Sequence, residues 1–402
     1  MQASSRSILV RARSLAAEWV RFIAFWLFER LVKPRENRWA FCTWHGSYPH
    51  TMDNPRGVFE EIKDDPGIVK VILRKKNHDV SAAVIEGTNV VSVNVESLRG
   101  AYYLARCRFI LIGYGLSGLC SYSHLIRDRH RIIQLWHGIP LKRIGRLFAG
   151  EPHWQFETPR YAATVCSSPS DQKIMATAFA PLPQDSVWMS GLPRNDLFLK
   201  EEAHLPLDYK GHLQRLRRQL DGRRFILYAP TWRAADKGIY AFSDADIAAI
   251  QALCRKHNAA LGIRAHANRR IEENSGDARD RAIFFVNDYP DVNVLLRATD
   301  VLVTDYSSIY IDFLLTGRPV LPFTYDIDSY VKERGFLYDL DEALPAAWFR
   351  TADELIARLD AALGGTGLQS ERYESAKRLF HVHGDRSAAD VASKIRALMA
   401  KN

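Results

Sequence analysis

Short runs of β-branched and aromatic residues alternate with helical patterns along most of the chain, and they fall into two series. In the first series the predicted strands are Trp39–Thr43, Val69–Leu73, Val90–Val93, Phe109–Ile112, Ile132–Leu135, Thr164–Ser167 and Val187–Met189. In the second series they are Phe225–Ala229, Leu261–Arg264, Ile283–Val286, Val301–Thr304 and Pro319–Pro322. Strands that alternate with helices form parallel sheets flanked by helices. Two such series therefore predict two doubly wound, Rossmann-like α/β lobes.

The boundary between the lobes is expected within Gly191–Tyr209, where a connector rich in Leu, Lys and Glu follows the sequence PRND. The 402 residues are enough for about two to three domains. We divide the chain into residues 1–37, a basic amphipathic helix, residues 38–195, a first lobe, and residues 196–402, a second lobe. Helices are predicted at Leu213–Leu220, Asp244–His257, Ser307–Leu315 and, as a closing helix, Ala388–Met399. Proteins of this architecture bind ligands in a cleft beyond the carboxyl ends of their strands.

Side chains that bind metals do not cluster in the sequence. The five cysteines are Cys42, Cys107, Cys120, Cys166 and Cys254. They lack the paired spacing of a zinc site or a disulfide framework, so they indicate buried thiols in a reducing compartment. Closely spaced aspartates occur at Asp244/Asp246, Asp326/Asp328 and Asp339/Asp341. These pairs are typical of a helix start and of two turns, so we expect no metal site.

Residues 14–32 form a helical pattern with a wide aromatic surface. The polar positions of one narrow stripe are Ser14, Glu18, Arg21 and Glu29, and Lys33-Pro34 ends the helix. Residues 1–38 hold eight Lys/Arg and three Glu, which gives +5 of the net charge of +9. The chain has no tract of about 18 uncharged apolar residues, so a membrane-spanning helix is not expected.

A helix with a broad aromatic face and a basic flank can lie in the plane of a membrane interface. We therefore predict that residues 7–33 contact the inner membrane surface, which would make the chain a peripheral protein of the cytoplasmic face. The alternative is that this helix packs on the protein's own body. Nucleic acid is not an expected partner, because no known reader motif accompanies the basic residues.

The segment VLVTDYSSIYIDFLLTGRPVL, residues 301–321, predicts a buried strand, a tight polar loop and a helix that opens at Ser307 or Ser308. Both serines can cap this helix while their hydroxyls and the backbone N–H groups face outward. Together with the helix dipole, these donors form an anion site. The chain has neither a GxGxxG fingerprint nor a Walker A sequence, so serine hydroxyls would replace a glycine-rich phosphate cradle. Ordinary helix capping is the alternative.

The segment QLWHGIPLKRIG, residues 134–145, places His137 at the carboxyl end of a predicted strand. A histidine in this position suits a general base near neutral pH, and the adjacent Gly138 allows a substrate to approach closely. Lys142 and Arg143 follow shortly afterwards and can attract phosphate. The alternative is a structural histidine.

The segment LGIRAHANRR, residues 261–270, puts Arg264 and His266 two residues apart at the tip of another predicted strand. Their side chains therefore lie on the same side of the chain. Together they can hold non-bridging phosphate oxygens and stabilise the charge on a departing nucleotide. The alternative is a solvated basic loop.

Two further segments supply candidate contacts. In LYAPTWR, residues 227–233, a strand ends shortly before Thr231 and Arg233. In GDRSAADVASKI, residues 384–395, a helix begins at Asp385, Arg386 and Ser387. The start of a helix suits a phosphate or a ribose.

Taken in order, these segments resemble a known family. The motifs that carry the resemblance are WHGIPLKRIG, GLPRND, LYAPTWR, RAHAN, VTDYSSIYIDFLLTGRPVLPFTYD, RGFLYD, a terminal GDRS and the early DNPRGVFEEI at residues 53–62. They look like the CDP-glycerol glycerophosphotransferase family of teichoic-acid primases and polymerases. The resemblance spans roughly residues 40–395, and the combination is far more specific than any single motif.

The resemblance implies a GT-B fold, with the acceptor-side lobe first and the CDP-alcohol lobe second. It implies that an acceptor hydroxyl attacks the phosphorus that bears glycerol and that CMP leaves. The two histidines of the family match His137, as the base, and His266. The candidate donor diphosphate contacts are Arg264, Thr304, Ser307, Ser308, Asp385, Arg386 and Ser387. The candidate nucleotide contacts are Thr231, Arg233 and Asp305, and the candidate acceptor-side residues are Asp53, Asn54, Gly138, Lys142 and Arg143.

The implied substrates are CDP-glycerol, or a related CDP-alcohol, and a lipid-linked glycan or polymer in teichoic-acid or capsule synthesis. No cofactor is implied besides this donor. The chain departs from the family pattern at Ala267, where a proline is customary, and at Ala389, where an arginine is usual. Its short length fits a single-transfer enzyme slightly better than a processive polymerase. The alternatives are a GT-B glycosyltransferase that uses a nucleotide sugar, an epimerase of similar fold and a non-enzymatic membrane scaffold.

Overall fold

A computed structural model describes residues 18–42, 52–75, 85–148, 154–231, 240–265, 282–366, 370–382, 384 and 386–400. The strands are β1 (Arg35–Cys42), β2 (Val69–Arg74), β3 (Val90–Asn94), β4 (Cys107–Ile112), β5 (Arg131–Gln134), β6 (Tyr161–Cys166), β7 (Val187–Met189), β8 (Arg224–Tyr228), β9 (Ala259–Ile263), β10 (Ile283–Phe285), β11 (Val301–Thr304) and β12 (Val320–Pro322). The helices are α1 (over residues 18–31), α2 (Asn54–Ile62), α3 (Leu98–Arg106), α4 (Trp154–Glu157), α5 (Pro169–Ala178), α6 (Pro193–Leu199), α7 (Leu207–Leu220), α8 (Asp244–Lys256), α9 (Val292–Ala298), α10 (Ile309–Phe313), α11 (Ile327–Arg334), α12 (Leu340–Ala343), α13 (Ala352–Leu363), α14 (Glu371–Phe380) and α15 (Ser387–Ala400).

The first sheet has seven parallel strands in the order β3-β2-β1-β4-β5-β6-β7. Residues 39–42 of β1 are all buried, as expected for a parallel strand that helices cover on both faces. In register, Trp39 lies between Lys70 of β2 and Phe109 of β4. The Trp39 and Phe109 rings meet edge to face with centroids 5.8 Å apart.

The second sheet has five parallel strands in the order β10-β9-β8-β11-β12. Strands β9 and β10 are added on one side of β8, and strands β11 and β12 are added on its other side. The strand order therefore reverses between β8 and β11, which are hydrogen-bonded parallel neighbours. The segments after these two strands, residues 229–231 and 305–308, therefore meet at a topological switch point, where α/β sheets bind ligands. The strand order alone brings two of the sequence-predicted segments together.

Helix α6 joins the two lobes, because it packs against α2, α9 and α15. A Cβ atom added to Gly57 of α2 would lie 2.2 Å from the carbonyl oxygen of Pro193, so this glycine allows α2 and α6 to touch. Helix α15 was predicted to close the second lobe, and it packs against α2 of the first lobe as well as against α6. The last helix therefore holds the lobes together.

Helix α1 has one face on the protein and one face exposed. Phe25 is buried, and its ring lies 4.6 Å from that of Tyr122. Glu29 is also buried and pairs with His130 (Nε2 to Oε1, 2.8 Å) and Arg129 (Nε to Oε2, 3.2 Å). The exposed apolar side chains are Trp19, Val20, Ile23, Trp26, Leu27 and Leu31. Among the described residues, no helix has the length and apolar character needed to cross a membrane.

The predicted two-sheet α/β fold is confirmed. All twelve predicted strands are present, with ends that shift by up to four residues, although Thr43 lies outside the described residues. Helix α7 begins at Leu207, six residues ahead of the predicted Leu213, and Pro206 occupies its N-cap position. The predicted helix Ser307–Leu315 is the short α10 followed by a 3₁₀ turn at Leu314–Thr316. The lobe boundaries at residues 37/38 and 195/196 stay predictions.

Candidate active site

A cleft with a volume of about 350 Å³ lies where the carboxyl edges of the two sheets face each other. Its lining residues are Asp53, Tyr114, His137, Lys142, Arg194, Ala229, Pro230, Thr231, Arg264, Ala265, Pro290, Asp291, Val292, Asn293, Ser307, Ser308 and Ile309. We call Asp53, Tyr114, His137 and Lys142 the first-lobe wall. We call Thr231, Arg264, Ser307 and Ser308 the second-lobe wall. Seven of the residues predicted from sequence are therefore brought to one cleft.

The turn that carries His137 follows β5 and has a restricted backbone. Trp136 adopts a φ of 52°, and Gly138 adopts a φ of 146°. A Cβ atom on residue 138 would lie 3.1 Å from Ser308 Oγ and 3.2 Å from Arg194 Nη2. Glycine is thus needed at position 138 both for its φ value and for space. This contact also places the His137 turn directly against the Ser308 loop.

The His137 ring is held by two neighbouring aromatic rings and by a hydrogen bond at one nitrogen. It stacks on Tyr114, with centroids 4.4 Å apart and planes 6° apart, and lies 4.2 Å from the Trp136 ring. His137 Nδ1 lies 3.0 Å from the carbonyl oxygen of Gly113. Because a carbonyl only accepts hydrogen bonds, Nδ1 carries the proton, and Nε2 is then the basic nitrogen of the neutral ring.

Asp305 joins the two loops of the second-lobe wall. Its Oδ1 accepts hydrogen bonds from Thr231 N (2.8 Å), Thr231 Oγ1 (2.6 Å) and Ser307 N (3.1 Å). Asp305 is buried and does not line the cleft, so it positions the loops that do. One buried carboxylate therefore sets the distance between Thr231 and Ser307.

The serine loop differs from the sequence prediction in two ways. Ser308 occupies the N-cap position of α10, but its side chain makes no capping hydrogen bond, because its φ of −62° and ψ of −4° are already helical. Thr304, predicted as a diphosphate contact, is fully buried in β11, and its hydroxyl donates to the carbonyl oxygen of Ala229 at 2.6 Å. Thr304 thus ties β11 to the end of β8 and does not reach the cleft.

Arg264 extends from the end of β9 along the cleft. Its Nη1 donates to the carbonyl oxygens of Val286 (3.2 Å) and Tyr289 (2.8 Å). These bonds fix a cation at the carboxyl edge of the second sheet. His266, Arg233 and Asp385 lie outside the described residues.

The predicted acceptor-side cations separate in the structure. Lys142 lines the cleft, and its Nζ lies 5.6 Å from the centre of the Tyr330 ring. Arg143 is exposed and lies against Gly335, outside the cleft. A β-bridge between Lys142 and Phe336 brings the WHGIPLK segment to the RGFLYD segment. The cause of the separation is this extended pairing, which points successive side chains in opposite directions.

Asp53 and Asn54 also have different roles. Asp53 lines the cleft with a φ of 51°, and it accepts from the Tyr114 hydroxyl at 3.3 Å. Burial raises the pKa of Tyr114, so this hydroxyl stays protonated. Asn54 is fully buried, and its Nδ2 donates to the carbonyl oxygens of Leu135 and Trp136, both at 3.0 Å. Asn54 therefore supports the backbone that leads into His137 and does not line the cleft.

Arg194 of α6 was not among the predicted site residues. Its Nη1 donates to Asp53 Oδ1 (3.1 Å) and to the carbonyl oxygen of His137 (2.8 Å), and its Nη2 pairs with Asp312 of α10. Burial alone would lower the pKa of Arg194, but the Asp312 and Asp53 carboxylates hold it above its usual value. This arginine connects both walls. The PRND sequence was the signal that could have identified it.

Two further cleft residues come from the start of α9. The Asp291 side chain caps this helix, because its Oδ1 accepts from Asn293 N at 2.8 Å. The Tyr209 hydroxyl donates to Asp291 Oδ2. Burial raises the pKa of the Asp291 carboxyl. The sequence YPDVN carried no motif that would have marked these residues.

The predicted anion site at the start of α15 is filled by a side chain of the protein. Asp196 Oδ1 accepts from Ser387 N at 3.1 Å, and Asp196 Oδ2 accepts from Ala388 N at 2.8 Å. Ser387 is buried, whereas Arg386 is exposed, and neither lines the cleft. An internal carboxylate therefore satisfies the amides that were expected to hold a phosphate or a ribose.

Within the described residues, no group of three or more His, Cys, Asp or Glu side chains is arranged to hold a metal ion. The aspartate pairs serve local structure. Asp246 forms a capping box with Ser243, Asp328 pairs with Arg350 at 2.8 Å, and Asp339 caps α12. The lining of the cleft includes one imidazole, three cationic side chains (Lys142, Arg194 and Arg264) and several hydroxyls.

Two parallel α/β sheets with a polar cleft between their carboxyl edges define a GT-B-like protein. The chain belongs to the family described as CDP-Glycerol:Poly(glycerophosphate) glycerophosphotransferase, whose model matches residues 27–396. It is therefore a transferase of the class that moves polyol phosphates from CDP-alcohols in teichoic acid synthesis.

Individual relatives agree with this assignment. The chain is 29% identical to a teichoic acid glycerol-phosphate transferase of Staphylococcus aureus, over 84% of this chain and 86% of that protein. It is 27% identical to the teichoic acid ribitol-phosphate polymerase TarK of the same organism, over 60% of this chain and only 47% of that protein. The fold is similar to that of the wall teichoic acid polymerase TagF (H548A), with a TM-score of 0.77, 20% identity and coverage of 98% of both chains.

Proposed function

We propose that the cleft transfers glycerol phosphate, or a related polyol phosphate, from a CDP-alcohol to an acceptor hydroxyl and releases CMP. The observation that carries this proposal is the contact between the turn of His137 and the loop of Ser308. A Cβ atom on Gly138 would lie only 3.1 Å from Ser308 Oγ. A base on one wall and neutral or cationic donors on the other suit transfer of a negatively charged phosphoryl group, which depends on positioning and charge stabilisation.

In the proposed reaction, the acceptor oxygen forms a bond to the phosphorus that bears the polyol. The bond from that phosphorus to the CMP oxygen breaks, and CMP leaves with the bonding electrons. His137 Nε2 takes the proton of the attacking hydroxyl. The hydrogen bond from Nδ1 to the Gly113 carbonyl (3.0 Å) supports this role, since it sets the tautomer and the ring direction.

The second-lobe wall is proposed to hold the donor diphosphate. Ser307 and Ser308 supply hydroxyls, Thr231 supplies a further polar group, and Arg264 supplies a positive charge. Lys142 approaches from the first lobe and can neutralise charge that develops during transfer. The roles expected for His266, Arg233 and Asp385 stay predictions.

Product analysis with a panel of donors tests the reaction. The protein is incubated with a lipid-linked glycan acceptor and with CDP-glycerol, CDP-ribitol or a UDP-sugar, and the products are identified by mass spectrometry. We expect CMP and an acceptor that is heavier by one polyol phosphate. Release of UDP with sugar transfer, and no CMP from any CDP-alcohol, would contradict the proposal.

We further propose that α1 holds the enzyme on the inner membrane surface, where a lipid-linked acceptor would be reached. The support is its exposed apolar stripe, in which Trp19 is 63% and Leu31 76% exposed, together with the basic charge of residues 1–38. Aromatic side chains beside basic residues suit the boundary between headgroups and acyl chains. Residues 7–17 of the predicted contact lie outside the described residues.

Vesicle binding tests the membrane contact. The triple variant Trp19→Ser, Ile23→Ser and Leu27→Ser removes apolar area from the exposed stripe, so we expect at least about tenfold weaker binding to vesicles of phosphatidylglycerol and phosphatidylcholine. The control variant Leu98→Ser, Leu207→Ser and Val331→Ser removes exposed apolar side chains elsewhere and should bind as the unmodified protein does. Equal binding by both variants would contradict the proposal.

A further inference from the structure

The α9 turn, which comprises Pro290–Asn293, contributes polar side chains to the cleft that diphosphate binding does not explain. It contributes a carboxylate and an amide to the lining, whereas the second-lobe wall contributes hydroxyls and a guanidinium. A carboxylate repels phosphate oxygens and attracts hydrogen-bond donors. The cleft therefore has a region for phosphates and a region suited to a ligand that donates hydrogen bonds.

Asp291 is held in place by two hydrogen bonds from uncharged groups. Its oxygens accept from Asn293 N at 2.8 Å and from the Tyr209 hydroxyl, and both donors are neutral. Asp53, by contrast, is paired with the guanidinium of Arg194 at 3.1 Å. Ionised carboxylates have about four lone-pair directions, so Asp291 can accept further hydrogen bonds from a ligand.

Asn293 provides a second, independent indication of a ligand. Asn293 is among the residues that line the cleft, and it is only 2% exposed. Its Nδ2 donates to the carbonyl oxygen of Arg194 at 3.3 Å, which fixes the orientation of the amide because a carbonyl only accepts. Asn293 Oδ1 has no hydrogen-bond partner among the described residues. Buried polar groups are almost always paired, so this acceptor indicates a donor that arrives with the ligand.

We infer that Asp291 and Asn293 bind the free hydroxyl groups of the polyol and thereby select polyols over simple alcohols. This inference rests on the proposed polyol-phosphate transfer. The phosphate groups of the substrates have no proton to donate to these acceptors near neutral pH, whereas each polyol hydroxyl has one. The hydroxyls can belong to the polyol of the donor or to that of the acceptor, since both would meet beside His137.

The experiment compares substrates with and without the free hydroxyls. In the first series, kcat/KM is measured for CDP-glycerol and for CDP-propanol with the same acceptor. In the second series, the donor is kept the same, and kcat/KM is measured for an acceptor that ends in glycerol phosphate and for one that ends in propyl phosphate with a single terminal hydroxyl. The variants are Asp291→Asn, which keeps a helix-capping oxygen, and Asn293→Ala. The matched control is Asp339→Asn, because Asp339 caps α12 in the same way, with Oδ1 2.7 Å from Asp341 N.

We expect the unmodified protein to prefer the polyol substrate, and Asp291→Asn to reduce that preference about 10- to 100-fold, as the loss of a hydrogen bond to a charged group predicts. A reduced preference among donors assigns the hydroxyls to the donor, and a reduced preference among acceptors assigns them to the acceptor. The Kd for CMP, measured by calorimetry, should not change in any variant.

Two results would overturn the inference while the proposed function stands. One is that both preferences are unchanged in Asp291→Asn and in Asn293→Ala, with CMP bound normally. The other is a weaker Kd for CMP in Asp291→Asn, which would mean that the α9 turn binds the nucleotide. If the unmodified protein releases no CMP from CDP-glycerol or CDP-ribitol, the proposed function itself fails, and that result is independent of the variants.

Discussion

The two walls of the cleft differ in how their side chains are held. On the first-lobe wall, His137 is fixed by contacts with the Tyr114 and Trp136 rings, by a hydrogen bond at Nδ1 and by a backbone that Asn54 and Arg194 support. On the second-lobe wall, Ser307 and Thr231 sit on loops that a single carboxylate, Asp305, holds together. A base must point at one proton, whereas a diphosphate can be bound by several donors. The difference predicts separate effects on turnover and on donor binding.

Removal of the base should give the largest effect on activity. We expect His137→Ala to lower kcat by about 10²–10⁴-fold, because this is the contribution of a positioned general base. The Kd for CMP should stay the same, since the second-lobe wall is intact. Steady-state kinetics and calorimetry check both expectations. The control is His204→Ala, because the side chain of His204 is 72% exposed. Unmodified turnover in His137→Ala would disprove the role of the base.

Replacement of the residue that connects the walls should lower stability. Arg194→Met leaves the buried Asp312 and the half-buried Asp53 without their ion-pair partner, so we expect the free energy of unfolding to fall by about 3–5 kcal/mol. Arg350→Met is the matched control, because its pair with Asp328 is exposed and should contribute about 0–1 kcal/mol. Denaturant titration of both variants measures the difference. A similar loss in both would mean that Arg194 is no more than a surface contact.

Removal of one donor from the second-lobe wall should have the smallest effect. We expect Ser308→Ala to lower kcat/KM for CDP-glycerol about 10- to 100-fold, which corresponds to one hydrogen bond to a charged group. This fall in kcat/KM should come mainly from a higher KM, whereas His137→Ala should mainly lower kcat. Ser329→Ala is the control, since that hydroxyl bonds only locally, to the carbonyl oxygen of Asp326 at 2.9 Å. Equal kinetics for both serine variants would remove Ser308 from the proposed diphosphate site.

The site residues that the sequence predicted well are those that follow a strand directly. His137, Arg264 and Ser307 come just after β5, β9 and β11, and all three line the cleft. The carboxyl ends of parallel strands share one edge of a sheet, so position after a strand is enough to place them. The position of a polar residue just after a predicted strand was therefore the most informative sequence feature for the site.

The predictions that the structure corrected concern polar groups that bind within the protein. The amides of Ser387 and Ala388 are occupied by Asp196, which lies about 190 residues earlier in the chain. The Thr304 hydroxyl binds a carbonyl of the neighbouring strand. A sequence motif shows that a donor exists, but it does not show which acceptor the fold brings to it.

The sequence by itself determined the two series of parallel strands, the family and the position of His137 beside a glycine. Periodicity and the residues at strand ends are local properties, so they are written directly in the chain. Only the tertiary structure decided that Arg194 connects both walls, that Asp196 fills the start of α15 and that Asp291 and Asn293 face the cleft. These contacts join residues far apart in sequence, and packing and the pairing of buried polar groups select them.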